Sequence, residues 1–560
     1  MAKEERAMIR FEQRGQADLT PMGNLPGWFS ALLRLRGIET EKEAKGYLAS
    51  SPDQLHDPLS MPGMAATVRL IREAIARQDT IMVYGDYDAD GVCAAAILAE
   101  TLQEEGAKAD IYLPSRHREG YGLNREAVEN IARDHQVLIT VDCGISNLEE
   151  VRLAKERGMT VIVTDHHEPP ETLPPADVAM DPLLGGYPYP RLCGAGVALK
   201  ICQALQGMTG VRKRLDLAAL ATVADVVPLT GENRAIVREG FRVIERTSRP
   251  GLQALLKVSG CTPPLKAEHL AFRLGPRLNA AGRLEDARLG VELLTTRDPQ
   301  TAQALAVRLD ENNRRRQELE HGMTAQATEQ LNQRPAWREE HLIVVQGEGW
   351  NPGLIGLTAG RLCEKHHLPT IALATREDGM AVGSCRSIPG VNIYRMLTCC
   401  AGLLERFGGH EQAAGLTIAA DRIDAFRDQL SRIIREECED SCFEAVKEYD
   451  LCVPFSIWNP ESIALLDQLE PLGCENPEPL FLAEGAAVQS MRRVGRDFSH
   501  LKCSFLDRSG VVINGIAFSQ GDVADQGYRQ VDLLYRPVLN EFRGRVSVEA
   551  QIVAIRKSNT

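Results

Sequence analysis

Four groups of acidic and imidazole side chains stand at the ends of apolar runs in the first half of this sequence. Ile81-Met82-Val83-Tyr84 leads into Gly85-Asp86-Tyr87-Asp88-Ala89-Asp90-Gly91, and Val137–Val141 leads into Asp142-Cys143-Gly144. Val161-Ile162-Val163 leads into Thr164-Asp165-His166-His167, and a further apolar stretch ends in Ala224-Asp225. Alone, a D-x-D serves as a turn or a helix cap, and a His-His pair says little. In this order, on successive runs lying side by side, they gather five or six carboxylates and two imidazoles on one edge. Carboxylates that close repel one another, and burying them unpaired costs several kcal/mol each. A pair of divalent cations removes that cost. Oxygen-rich ligands with one or two imidazoles suit Mn2+ or Mg2+, and the lack of thiolates argues against zinc. Two such ions, about 3.5–4 Å apart, are the usual device for phosphoester cleavage, activating water and neutralising charge in the transition state.

The elements that must position these groups are legible in the texture around them. The apolar runs lack polar alternation and are separated by helical stretches at Val92–Glu104, Arg125–Arg133 and Asn147–Arg157. That pattern predicts a parallel sheet covered on both faces, with ligands bound beyond the carboxyl ends of its strands. At 560 residues the chain is too long for one core, and the expected fold class is multi-domain α/β. Residues 1–75 form an N-terminal region without a chemical motif, helical from Trp28 to Leu35 and from Glu41 to Leu48. Residues 76–235 form the parallel-sheet domain. Residues 236–330 form a helical connector that includes the charged run Pro299–Glu329. Residues 331–445 form a second α/β domain opening at His341–Val345. Residues 446–560 carry five short strands (Ala486–Met491, Leu501–Phe505, Val511–Phe518, Val531–Tyr535, Val546–Ile555), which suits a small barrel of the oligonucleotide-binding (OB) type.

Composition sets few limits. An apolar fraction of 44% and a charged fraction of 25% are ordinary for a soluble protein. The absence of an 18-residue apolar run, and a polar start at Met1–Arg6, predict a cytoplasmic protein. The 14 cysteines are scattered with no C-x-x-C pair and read as reduced thiols. A net charge of −13 counts against nucleic-acid binding only if it is evenly spread. From Glu484 to Thr560 there are 11 Lys/Arg against 8 Asp/Glu, a local +3.

In order, Asp88-Ala89-Asp90, Asp142, Asp165-His166-His167 and Asp225 resemble the four motifs of the DHH phosphoesterase family. The resemblance assigns Asp88, Asp90, Asp142, His166 and Asp225 to two metal ions, with Asp142 bridging and Asp86 joining or supporting the first ion. Smaller family members place a histidine earlier, where this chain has Tyr84. His167 would face the scissile phosphate, and Asp165 would orient the histidines.

Phe407-Gly408-Gly409-His410-Glu411-Gln412-Ala413-Ala414-Gly415 resembles the glycine-rich motif of the DHH-associated domain. There, backbone N–H groups and His410 would meet a phosphate. Ser384 and Arg386, two apart in extended backbone, point the same way and could grip a terminal phosphate. Leu274–Arg283, with Arg277 and Arg283, resembles the connecting segment of the family's single-stranded-DNA exonuclease branch, whose arginines reach nucleic acid. A pocket of Arg277, Ser384 and Arg386 would capture the 5′ phosphate. Pro471–Pro479 and Phe498–Lys502 resemble the same branch, with Glu475 where the family often has glycine. Arg492, Arg493, Arg496 and Lys502 would line a strand's path. Phe498, Phe505 and Phe518 offer stacking faces, although alternation makes Phe518 a core residue.

The resemblance spans residue 76 to the end. It implies a 5′-to-3′ exonuclease of DNA repair and recombination, using two Mn2+ or Mg2+ ions to release 5′-mononucleotides. Its partners would be single-stranded DNA with a 5′ end, a single-strand-binding protein and a helicase. A DHH phosphodiesterase for short RNA or cyclic dinucleotides is the alternative within the same chemistry, and the extra barrel speaks against it. An inactive strand-binding scaffold is the alternative outside it, and the complete set of acidic residues speaks against that.

Overall fold

The computed structural model describes residues 10–116, 119–120, 122–542 and 544–558. The chain divides into two units, Pro52–Glu444 and Met1–Ser51 together with Ala445–Thr560.

The larger unit opens with a five-stranded sheet in the order Lys108–Tyr112, Thr80–Gly85, Val137–Val141, Thr160–Thr164, Val178–Met180, every pair parallel. Both faces are covered, so alternate residues of one strand enter different cores. Ile81 and Val83 pack with Met64–Arg77, Ala89–Glu104 and Gly194–Ala224, while Met82 and Tyr84 pack with Arg125–Asp134 and Leu148–Glu156. This explains the unbroken apolar runs. The Ala89–Glu104 helix is buried along most of its length and rich in alanine, which lets it approach the Gly194–Ala224 helix closely. Asp88 caps it, its Oδ1 accepting the N–H of Asp90 at 2.9 Å and of Gly91 at 3.1 Å.

Shorter helices follow, and then the 35-residue helix Pro299–Gln333, about 52 Å long at 1.5 Å per residue. Its first half contributes Ala302, Ala306 and Leu309 to the core beneath the parallel sheet. Its last turns contribute Met323, Ala327 and Leu331 to a second core. That core lies against a mixed sheet in the order Arg406–Gly409, Ala413–Ala419, Met380–Arg386, Thr370–Thr375, Ile343–Glu348. The Phe407–Gly415 motif is a β-hairpin here: Gly408 pairs with Gly415, and Gly415 in turn faces Ser384.

The smaller unit is a closed barrel. Phe481–Val494, His500–Leu506, Val512–Ala517, Arg545–Lys557 and Gln530–Phe542 pair in that order, and the last returns to the first. The N-terminal helices Gly27–Arg34 and Glu41–Ala49 belong to it, with Phe29, Leu32 and Leu33 in one core with Trp458, Phe481 and Tyr535. Asn476 ties the two chain ends together. Its Oδ1 accepts Arg36 Nε at 2.9 Å and the Tyr47 hydroxyl at 3.0 Å. Glu475 beside it has φ +53°, a region that glycine enters freely and other residues do not.

One expectation is corrected here. Phe505 is fully buried, whereas Phe518 is 51% exposed and lies edge-on to His500. Strand pairing ends at Ala517, so alternation does not extend to Phe518. Among the described residues no helix is long and apolar enough to cross a membrane, and all 14 cysteines are free thiols.

Candidate active site

Three strands of the parallel sheet each deliver an acid at the carboxyl end. Asp86 follows Gly85, Asp142 follows Val141, and Asp165 follows Thr164. Asp225 arrives separately, as the C-cap of the Gly194–Ala224 helix. The N-terminus of that helix faces Asp90, whose carboxylate accepts the N–H groups of Gly194 at 2.6 Å and Ala195 at 2.8 Å. The segment breaks at Gly207 (φ +65°), so its first helical half positions Asp90 and its second half Asp225. Gly194 is required, since a Cβ there would lie 2.5 Å from the Asp142 Cβ. Asp142 itself turns into the site with φ +60°.

The acids form two groups. Ligand atoms of Asp86, Asp88 and Asp142 lie within 4.8 Å of one another, as do those of Asp90, His166 and Asp225. Asp142 is in reach of both: its Oδ1 is 3.0 Å from His166 Nε2, which lies 3.7 Å from carboxylate oxygens of Asp90 and Asp225. Asp86, Asp90 and Asp142 are buried. Burial and mutual repulsion shift these groups. Burial, then Asp88, pushes Asp86 up to about 8. Burial, then Asp90 and Asp88, pushes Asp225 up to about 9. Asp142 is driven well above the carboxylate range by burial and the charges of Asp90 and Asp88. Burial also lowers His166. Asp86 Oδ1 and Asp225 Oδ2 are buried without a hydrogen-bond partner. Orphaned oxygens in a cluster that repels itself, with a neutral imidazole among them, fit divalent metal ions.

Asp165 and His167 behave differently. Asp165 accepts N–H groups from Ile145, His166 and His167, and its Oδ1 lies 2.7 Å from His167 Nδ1. Burial would raise Asp165, but these bonds outweigh it and hold the carboxyl low. Burial would lower His167, but Asp165 outweighs it and raises the ring. The pair lies on the open side of the site, the His167 side chain 45% exposed. Tyr84 points to the opposite face, giving its hydroxyl to Gly122 O at 3.0 Å and stacking on Tyr112.

A group of cations stands beside the acids. Arg116 lies over the Tyr87 ring at 5.3 Å, and its charge is felt at Asp86, Arg283 and Arg386. Burial, then Arg116 and Arg316, lowers Arg283 to about 10. Arg386 donates to Ser384 Oγ at 3.1 Å and has no carboxylate in ion-pair reach among the described residues. Gly356 lets the Ile355–His366 helix start against this pair, because a Cβ there would stand 3.0 Å from both side chains. Helix starts favour anions.

Arg277, expected in this group, is engaged by a carboxylate. Its guanidinium pairs with Asp310 at 2.7 Å, and Asp310 also takes Arg314. The useful members of its segment are others: Asn279 Oδ1 accepts the Ala89 N–H at 2.7 Å, and Gly282 packs on the Tyr87 carbonyl. The segment thus braces the Asp86–Asp90 loop. Arg116, Asn279 and Gly356 were absent from the sequence-derived set; only the glycines of Asn351-Pro352-Gly353-Leu354-Ile355-Gly356 signalled a close approach. His410 heads its hairpin turn, exposed, with its N–H on Ala413 O. On the barrel, Arg492 pairs across strands with Lys502. Lys502 also bonds Glu549 at 2.8 Å, Arg493 bonds Asp525, and Arg492 and Arg496 are exposed.

Comparison with known proteins agrees with this anatomy. Residues 80–224 match the DHH family N-terminal domain, 339–436 the DHHA1 domain and 449–554 the RecJ OB domain. The chain is 37% identical over 551 residues to the single-stranded-DNA-specific exonuclease RecJ of Bacillus subtilis, covering 97% of this chain and 70% of that one. It is 35% identical over 581 residues to RecJ of Escherichia coli, covering 98% of each. The crystal structure of Thermus thermophilus RecJ in complex with Mn2+ superposes with a TM-score of 0.84 at 32% identity, over 99% of this chain and 80% of that one. Agreement over the whole length, in three matched domains and in backbone course, means that the chain belongs to the RecJ family of DHH exonucleases.

Proposed function

We propose that this chain hydrolyses single-stranded DNA from its 5′ end with two divalent metal ions, releasing 5′-mononucleotides in DNA repair and recombination. One observation carries the reading: Asp142 belongs to one ligand group and lies 3.0 Å from His166 of the other, and the outer oxygens, Asp86 Oδ1 and Asp225 Oδ2, are buried without partners. Asp86, Asp88 and Asp142 would hold one Mn2+ or Mg2+, and Asp90, His166 and Asp225 the other, with Asp142 between them. Two such ions, when bound, activate water and neutralise charge on the phosphoryl group. The relatives at 35–37% identity are single-stranded-DNA-specific exonucleases, and the Thermus RecJ was crystallised with Mn2+ and with Mg2+.

The remaining steps belong to the chain's own residues. The Gly194 and Ala195 N–H groups hold Asp90 in place. Asp165 orients His167 and favours its protonated form, and the ring faces the phosphodiester, where it stabilises charge as the P–O bond to the 3′ oxygen breaks. Arg116, Arg283, Ser384 and Arg386 grip the terminal phosphate, which brings the first internucleotide bond to the acids and sets the polarity. On the barrel, Arg492, Arg496 and Lys502 with the exposed rings of Phe498 and Phe518 offer charge and stacking for a single strand.

The test is digestion of a 3′-labelled, 5′-phosphorylated strand with Mn2+, beside its duplex, its RNA counterpart and an Asp142→Ala control. A shortening ladder on single-stranded DNA alone, absent from the variant, is the expected result. An intact strand that still shifts in a binding gel would leave only a scaffold.

A further inference from the structure

The Pro52–Glu444 unit carries a second concave site, formed by the helices that hold Asp90 and Asp225, at other points along them, together with the helices that follow. It is a depression of about 590 Å³, within the range of small-molecule sites. Its lining bears six Lys/Arg against three Asp/Glu, on a chain whose net charge is −13. Such local reversal marks a site for anions.

The acids of the lining are already engaged. Arg249 forks onto Glu100 at 2.5 and 3.1 Å, reaches Asp216 at 3.2 Å, and donates to Leu294 O at 2.6 Å. Glu239 is taken by Arg242 at 2.7 Å. Arg212, Arg246 and Arg297 are left, exposed and without an ion-pair partner among the described residues. They come from three separate places: the middle of the Gly194–Ala224 helix, the end of the Gly231–Glu245 helix, and the turn after Arg288–Thr295. Surface arginines normally diverge into solvent or find a carboxylate. Here a rigid floor, the Arg249–Glu100–Asp216 network, holds the three supporting segments together. Ser248 and Thr296 add hydroxyl donors, and Val243 and Pro250 give the lining an apolar side.

We infer that this depression binds a small phosphorylated ligand of nucleotide size carrying two or more phosphates. Arg212, Arg246 and Arg297 take the phosphates through bidentate, charge-assisted bonds, and Val243 and Pro250 take the apolar part. The site is independent of the metal centre and does not rest on the nuclease reading.

Isothermal titration of the full-length, metal-free protein with ATP and with inorganic tripolyphosphate tests it. Both probes bind the wild-type chain. The combined Arg212→Gln, Arg246→Gln, Arg297→Gln variant weakens ATP binding by at least about tenfold, from the loss of three charge-assisted contacts. Arg386→Gln leaves it unchanged, which separates this site from the cations beside the acids. All three side chains are exposed, so the unliganded melting temperature should not move; Arg246→Gln alone serves if it does. No heat from either probe, equal affinity in the combined variant, or loss in Arg386→Gln instead would overturn the inference. So would a twelve-nucleotide single strand that binds through the three arginines while ATP does not, since the surface would then track DNA.

Discussion

At the scale of the residue, Asp142 is the pivot. Replacing it with alanine removes a carboxylate from one ligand group and the neighbour of His166 in the other, and hydrolysis should fall by well over about 100-fold, because even outer partners of metal ligands cost 10–100-fold. His167→Ala should lower kcat by about 10²–10³-fold with Mn2+ affinity retained, as befits a residue that stabilises charge. The raised carboxyls make a further prediction with a definite sign. Asp86, at about 8, and Asp225, at about 9, stay protonated in the metal-free folded chain far above the ordinary value of 3.8. The unfolded chain releases those protons near pH 4, so between pH 4 and 9 the folded state binds more protons, and its stability falls as pH rises. Metal-free melting temperatures should decline from pH 6 to 9. Mn2+ should restore them most at the alkaline end, with protons released on binding. A flat profile in chelator would mean that these carboxyls are not buried together. The acids were legible because each follows an apolar run. Arg116 was not, because an arginine after a strand looks like surface charge until Arg283 and Arg386 are seen beside it.

At the scale of the element, the parallel sheet and its helices follow from the sequence pattern, with ends displaced by up to three residues; the helical stretch placed at Val92–Glu104 begins at Ala89. Partnerships between distant elements were not legible. Leu274–Arg283 drew notice for its arginines, yet Asn279 and Gly282 make its contacts with the loop that bears Asp86 and Asp88. Asn279→Ala should therefore lower Mn2+ affinity by about 10–100-fold with little change in chelator-treated melting temperature, as calorimetry would show. If affinity holds and only stability drops, the segment merely packs. The Phe518 correction has a similar origin: two-residue alternation is a property of paired backbone, and pairing stops one residue before it.

At the scale of the whole molecule, the stretch up to Ser51 gave no reading because its partners lie at the far end of the chain, whereas Met64–Arg77 packs under the parallel sheet. Arg36 meets Asn476 440 positions away, and Phe29 is wholly buried in a core with Trp458 and Phe481. Phe29→Ala should destabilise the barrel unit by about 3–5 kcal/mol, and should leave Mn2+ binding by the Pro52–Glu444 unit unchanged in the same sample. Coupled loss of both would show a single cooperative block. This interleaving bears on how the protein is made. At about 5–20 residues per second, synthesis of the stretch between residues 51 and 445 takes roughly 20–80 s. Throughout that interval the helices Gly27–Arg34 and Glu41–Ala49 have left the ribosome with their apolar faces uncovered. They are natural clients for a chaperone, and a nascent chain cut short before the barrel strands emerge would keep those faces exposed and be marked for destruction.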